Sequence, residues 1–294
     1  MMRQQFVKTI ESIFEQDCRL VVLLGDIGVY GFRRAFEKYP ERIYNIGILE
    51  QATMSLAAGL ACEGLIPVIH TIAPFVVERS LEQIKIDFCY QQLGGNIVSV
   101  GGSYDYAALG CTHHCPADIG ILKNLPGMQI VVPGHAQEFD RLFVHSYANS
   151  SPTYFRLSEK NNSQVNDVEF GKALVLKTGA KATVIAVGPV LDNVMSACAD
   201  MDVTILYYTC LSPFDGQTLA DKSPSAKILI CEPYYSGAMD YDVIKSLGLN
   251  SVMIQHVGVP REFLTKYGIA GEHDVYVGLT PQNIRSNLEN LINA

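Results

Sequence analysis

Two α/β units, each a mostly parallel, doubly wound sheet covered by helices, are the fold class the sequence predicts, and three observations point there. The 294 residues amount to about two average domains. Short apolar runs alternate with helical patterns along the whole chain, and the runs are continuous rather than alternating, as strands buried on both faces require. Between Ser158 and Val168 the sequence turns polar and loses periodicity, as a connection between domains does. The boundary is therefore placed near 165, giving units 1–165 and 166–294.

The elements follow in order. A helix over 3–15 precedes a strand over 20–24, where five aliphatic residues run without a break. A strand over 43–45 leads to a helix over 50–63 whose small residues, Ala52, Ser55, Ala57, Ala58, Gly59 and Ala61, let it press closely on a neighbour. After a strand over 67–71, a helix is expected over 75–91. There Val77, Leu81, Ile84 and Phe88 recur at helical spacing and form one apolar stripe. Strands over 97–100, 129–132 and 154–157, with a helix over 137–148, complete the first unit. The second has strands over 182–187, 203–208, 227–231 and 251–257 and a closing helix over 281–292, with Pro281 in its first turn.

Lys and Arg number 22 against 30 Asp and Glu, a formal charge of −8, and the cations are dispersed. That excludes the basic footprint of a nucleic-acid binder. Apolar residues make up 48% and charged residues 18%, ample for buried sheets and too little charge for disorder. The longest apolar run falls far short of the ~18 residues that span a bilayer. The first residues lack a signal-peptide core, so a cytoplasmic location without membrane contact is expected. The eight cysteines lie mostly in apolar or helical stretches and are expected as reduced thiols.

Glu50 stands where a helix begins, so its carboxylate is expected to be partly desolvated at a positive helix end. Taken alone, that is also how an ordinary first-turn glutamate looks. Gly110-Cys-Thr-His-His-Cys115 gathers two Cys and two His, yet adjacent side chains cannot readily converge on one tetrahedral ion, and no metal site is expected there.

Read in order, Asn45-Ile-Gly-Ile-Leu-Glu50-Gln51, Ala57-Ala-Gly-Leu-Ala61, Glu63-Gly-Leu-Ile-Pro-Val68, Thr71 through Phe75, Arg79, Glu82-Gln-Ile84, Gly110-Cys-Thr-His113, Leu125-Pro-Gly-Met128 and Val132-Pro133 follow at transketolase spacings. The chain resembles the pyrimidine-binding plus C-terminal domains of a thiamine diphosphate-dependent transketolase, in the form found as the second subunit of split transketolases. The resemblance covers nearly the whole chain, most densely over 20–157. It implies transfer of a two-carbon ketol unit from a ketose, expected to be phosphorylated, to an aldose, with thiamine diphosphate as cofactor. It also implies that Mg2+ and the diphosphate are held mainly by a separate N-terminal-type subunit, because Gly25-Asp26-Ile-Gly28 lacks the family's metal motif. A heterotetramer with self-association is the expected assembly.

Residue by residue, the resemblance makes Glu50 the glutamate bonded to the aminopyrimidine and Phe75 the ring stacked on it. Asp26 supports the cofactor loop, and Arg79 orders the pocket or pairs with Glu82 or near Glu50. His113, with His114 beside it, handles the donor sugar, and Arg3 and Arg156 bind phosphate. The Cys231-Glu-Pro233 and 257–268 segments resemble the family's C-terminal domain, which is assigned to dimer packing. Two positions depart from the pattern. Leu109 replaces an aspartate that reads a sugar hydroxyl, and Tyr30 replaces a common serine. Either the substrate is unusual, or Asp105 or Asp118 substitutes. A beta subunit of a 2-oxoacid dehydrogenase and a noncatalytic partner that kept the fold are the alternative readings; the Thr112-His113 loop and Glu82-Gln83 favour transketolase over the first.

Overall fold

The computed structural model describes residues 1–248 and 251–294. In chain order its strands are β1 (Leu20–Leu24), β2 (Ile43–Asn45), β3 (Ile66–Ile72), β4 (Gly95–Val100), β5 (Gln129–Val131), β6 (Pro152–Arg156), β7 (Ala173–Lys177), β8 (Thr183–Val187), β9 (Thr204–Tyr208), β10 (Cys210–Ser212), β11 (Lys227–Tyr235) and β12 (Met253–Val259). They form two sheets, β10-β5-β6-β4-β3-β1-β2 and β12-β11-β8-β9-β7. All neighbours are parallel except β10 against β5 and β7 against β9. The fold is α/β with two mostly parallel sheets. The interior strands are continuous apolar runs because both faces are covered; all five residues of β1 are buried.

In the first sheet the chain leaves β1 toward β2 on one side and returns as β3 on the other, so the carboxyl ends of β1 and β3 flank a topological switch point, where open α/β sheets bind ligands. One face is covered by helix α1 (Met2–Gln16), whose Phe6 meets Phe139 and Phe143 of the helix Ala136–Ser146, with Ile10 and Phe14 in the same core. The opposite face is covered by α3 (Glu50–Cys62) and α4 (Ala73–Glu78), with α2 (Arg33–Lys38) lying between β1 and β2 in the chain. Met54, Ala57, Val76, Val77, Ile84 and Phe88 form the core on that side.

The expected helix over 75–91 is not continuous. Ser80 donates its hydroxyl to the Val76 carbonyl, a back-bond that competes with helix propagation. α4 ends there, and the chain resumes through Leu81–Gln83 into a π-helical turn at Ile84–Tyr90. The apolar stripe survives the break, because Ile84 and Phe88 remain buried. The expected strand over 251–257 lies instead at Met253–Val259. Two strands gave no sequence signal: β7, a half-buried edge, and β10, three residues that return from the second half to close the first sheet. The polar stretch after β6 carries no helix or strand but is tied down. Asn162 donates to the Gly188 carbonyl and Asn166 to Glu138. Five of the eight free cysteines are buried. Among the described residues no helix is long and apolar enough to cross a membrane.

Candidate active site

Glu50 occupies the first position of α3, where unpaired N–H groups of the first turn favour negative charge. It is only 5% exposed and lies with Gly25, Thr53 and Thr71 at the switch point. Arg79 Nη1 donates to its Oε1 at 3.2 Å, so the arginine chooses Glu50 rather than Glu82. The other carboxylate oxygen accepts no hydrogen bond from the described residues. Phe75 and Arg79 are one helical turn apart and share a face. The Arg79 guanidinium carbon sits 3.8 Å from the Phe75 ring centre. His113 meets the same ring edge-on, 5.3 Å between centres. Thr112 Oγ1 lies 3.0 Å from its Nδ1, leaving Nε2 without a partner among the described residues. Three segments distant in sequence thus bring a carboxylate, a guanidinium, a phenyl ring and an imidazole together.

Strand alternation places a second feature on the other face. Thr71 of β3 turns toward Glu50, while its neighbour His70 turns toward α1 and packs on Phe6. His70 borders a cleft of about 650 Å³ whose lining includes Arg3, Lys8, Tyr30 and Arg33 and, among the described residues, no carboxylate. Arg33 stacks over Tyr30 at 4.5 Å. The cleft is cationic, with donor forks suited to phosphate oxygens, and Arg3 stands in it.

His70 Nδ1 lies 2.8 Å from the Val98 carbonyl, a contact only an N–H satisfies, and buried Nε2 has no partner among the described residues. Burial, with Arg3 adding repulsion, brings its pKa down to about 4. Because the folded value lies below that of the unfolded chain, the stabilisation is complete above about pH 6.5 and is lost as pH falls toward 4. Urea unfolding from pH 7 to pH 4 should show a His70-dependent loss on the order of 3 kcal/mol. His70→Gln should flatten that part of the profile; an unchanged slope in the variant would contradict the assignment.

The other expected site residues lie elsewhere. Arg156 is 1% exposed, and its Nε donates to Asp118 Oδ2 at 2.7 Å and its Nη2 to the Pro233 carbonyl at 3.2 Å. Its guanidinium lies against Gly102, where even a Cβ would come within 2.7 Å. Nε and Nη2 are thus engaged within the chain, so the guanidinium serves here as the buried counter-charge of Asp118 rather than as the free phosphate-binding fork expected from sequence. His114 likewise does not join His113. It is buried against His273 of the second half, 5.4 Å between ring centres, and burial, then the neighbouring histidines, lowers its pKa. Asp26 is exposed at the end of β1 with φ of 61° and exchanges hydrogen bonds with Asn45.

Neither candidate for the missing aspartate is free. Asp118 is consumed by Arg156, Tyr154 and its own helix N-terminus. Asp105 accepts from Ser158 and the Glu159 N–H, and burial pushes its pKa up to about 6. Leu109 and Tyr30 are both exposed. Sequence reasoning missed the pairing of Asp118 with Arg156, although an arginine inside an apolar strand was a signal that such a partner must exist. Among the described residues no group of three or more metal-ligating side chains converges.

A doubly wound sheet with a carboxylate at its switch point and an aromatic side chain beside it has the form of a ligand-binding α/β domain. Residues 1–164 match the family described as transketolase, pyrimidine binding domain, and the chain belongs to it. The chain is 37% identical over 98% of its length to an uncharacterized 33.6 kDa protein in the fasciation locus of Rhodococcoides fascians, covering 93% of that protein. It is 29% identical to a subunit of the apulose-4-phosphate transketolase of Phocaeicola vulgatus, the match covering 96% of this chain and 94% of that one. Among solved structures, a split gene transketolase described as an inactive beta4 tetramer matches with a TM-score of 0.87 at 25% identity, covering 99% of this chain and 98% of that one. The resemblance to a split-transketolase subunit therefore holds over nearly the whole chain.

Proposed function

We propose that the chain is the pyrimidine-side subunit of a split transketolase, transferring a two-carbon ketol unit from a phosphorylated ketose to an aldose in the cytoplasm. It acts with a separate subunit that carries the diphosphate and Mg2+ site, in a two-plus-two assembly. The observation that carries this reading is the Glu50–Arg79–Phe75–His113 constellation at the switch point.

The residues fit an aminopyrimidine: a shielded carboxylate with one free oxygen, beside an aromatic side chain. Thiamine diphosphate, when bound, would supply a nucleophilic thiazolium carbon and an electron sink for carbon–carbon cleavage. Glu50 shares a proton with the ring nitrogen and so favours the tautomer that acts as base. Arg79 fixes the carboxylate, and Phe75 offers a flat apolar surface. His113 donates to or accepts from the donor's hydroxyl or carbonyl oxygen. Arg3, with Lys8 and Arg33, offers an anion its donor forks in the cleft on the other face of the sheet. Asp26 and Asn45 shape the loop facing the cofactor.

Several large apolar side chains are exposed on the elements around Glu50. Ile48, Leu49, Leu56, Ile86 and Tyr90 are exposed, and Ser55 joins α3 to the π-helical turn through Asp87. Such a patch marks an interaction surface, and it supports the partner subunit closing the site here. The relative described as an inactive tetramer of beta chains supports the same division of labour.

Calorimetric titration of thiamine diphosphate and Mg2+ tests the proposal. Binding should require the assembled pair and weaken in Glu50→Gln. Equally tight binding to this chain alone would refute the division of the site, and oxidative decarboxylation by the pair would favour a 2-oxoacid dehydrogenase.

A further inference from the structure

We propose that the C-terminal half does more than pack subunits: it positions the His113 turn, and Tyr267 is the residue through which it does so. The inference rests on the role given to His113 above.

The segment carrying His113 is a closed loop. Ser103 and Cys115 pair at its neck, with N–H to carbonyl distances of 3.1 and 2.7 Å. The tip turns at Gly110, whose φ of 74° and ψ of −167° only glycine adopts without strain. Residues Cys111–His113 then form one 3₁₀ turn that aims the imidazole at Phe75.

Residues of the first half hold this loop through Asp105, Cys115 and the Phe75 ring, and the other half of the chain holds it at the neck, the flank and the tip. At the neck the Tyr235 N–H donates to the Pro116 carbonyl at 2.8 Å, and the Ser103 hydroxyl donates to the Pro233 carbonyl. On the flank Tyr104 donates to Asp274 at 2.6 Å, and His273 meets the edge of His114. At the tip the Tyr267 ring lies directly on Gly110. A Cβ at Gly110 would fall 2.6 Å from Tyr267 Cε1 and 3.0 Å from Cζ. The ring is otherwise 72% exposed, so its packing is spent on one turn of backbone. Gly110 is three residues from the imidazole and has no side chain of its own to anchor it. Removing the ring leaves the neck and flank intact and frees the tip.

The test uses the full chain with labelled histidines, then the assembled pair with D-fructose 6-phosphate as donor. By NMR, Tyr267→Ala should mobilise the His113 ring and move its resonances toward free imidazole, while Tyr267→Phe keeps them native. In the pair, Tyr267→Ala should raise donor KM about tenfold with kcat and thiamine diphosphate affinity within twofold, and Tyr267→Phe should restore KM. Unchanged His113 resonances in Tyr267→Ala would overturn the inference. So would a mobile ring with normal KM where His113→Ala raises KM. If His113→Ala also leaves KM unchanged while the ring is mobile, positioning stands and the substrate role of His113 fails.

Discussion

Glu50→Gln in the assembled pair should lower ketol transfer by about 10³-fold, the scale of losing one proton-handling group. The amide is nearly isosteric and can still accept from Arg79, so fold and assembly should survive. What it cannot do is share a proton with a ring nitrogen as a carboxyl does. The position is demanding because the structure spends so much on one side chain. A helix starts there, the residue is buried, and its side-chain partner among the described residues is a guanidinium that also covers Phe75. Steady-state rates of the variant pair beside unchanged circular dichroism and subunit stoichiometry give the answer. A rate within fivefold of wild type would remove Glu50 from the chemistry.

Arg156→Met should destabilise the chain by about 3–5 kcal/mol, because it leaves the fully buried Asp118 carboxylate without its counter-charge. Tyr154 and the Ile119 N–H still bond Asp118, but neither supplies charge. The loss extends across the two halves, since Arg156 also donates to the carbonyls of Cys115 and Pro233. Thermal unfolding should fall by roughly 10 °C. The double variant Arg156→Met with Asp118→Asn should recover much of the loss, as removing both partners of a buried pair is tolerated better than removing one. A single variant as stable as wild type would show that the buried pair contributes nothing. An Arg156 that bound phosphate instead would show its effect in donor KM.

The sequence and the structure agree where burial alone decides. The uninterrupted run at Leu20–Leu24 and the stripe through Ile84 and Phe88 had to face a core, and they do. The helix break at Ser80 was not legible, because it depends on one hydroxyl choosing a backbone carbonyl. β10 was not legible either; three residues carry no period, and their pairing with β5 is set by the path of the whole chain. In the site, Glu50, Phe75, Arg79 and His113 were named from motif order, and they stand together. Arg156 and His114 were named by the same reasoning and are turned inward, since order along a motif does not say which side of a strand or turn a side chain takes. Tyr267 left no trace, because its contact is to a glycine backbone more than 150 positions away.

The most direct measurement is ketol transfer by this chain, by a separate diphosphate-binding subunit, and by the two mixed, each with thiamine diphosphate and Mg2+. Half of an active site is predicted to give no turnover from either chain alone and full turnover from the mixture, saturating at equal subunit numbers. Turnover by this chain alone, or a mixture that stays silent with ketose donors while both chains are folded and associated, would contradict it.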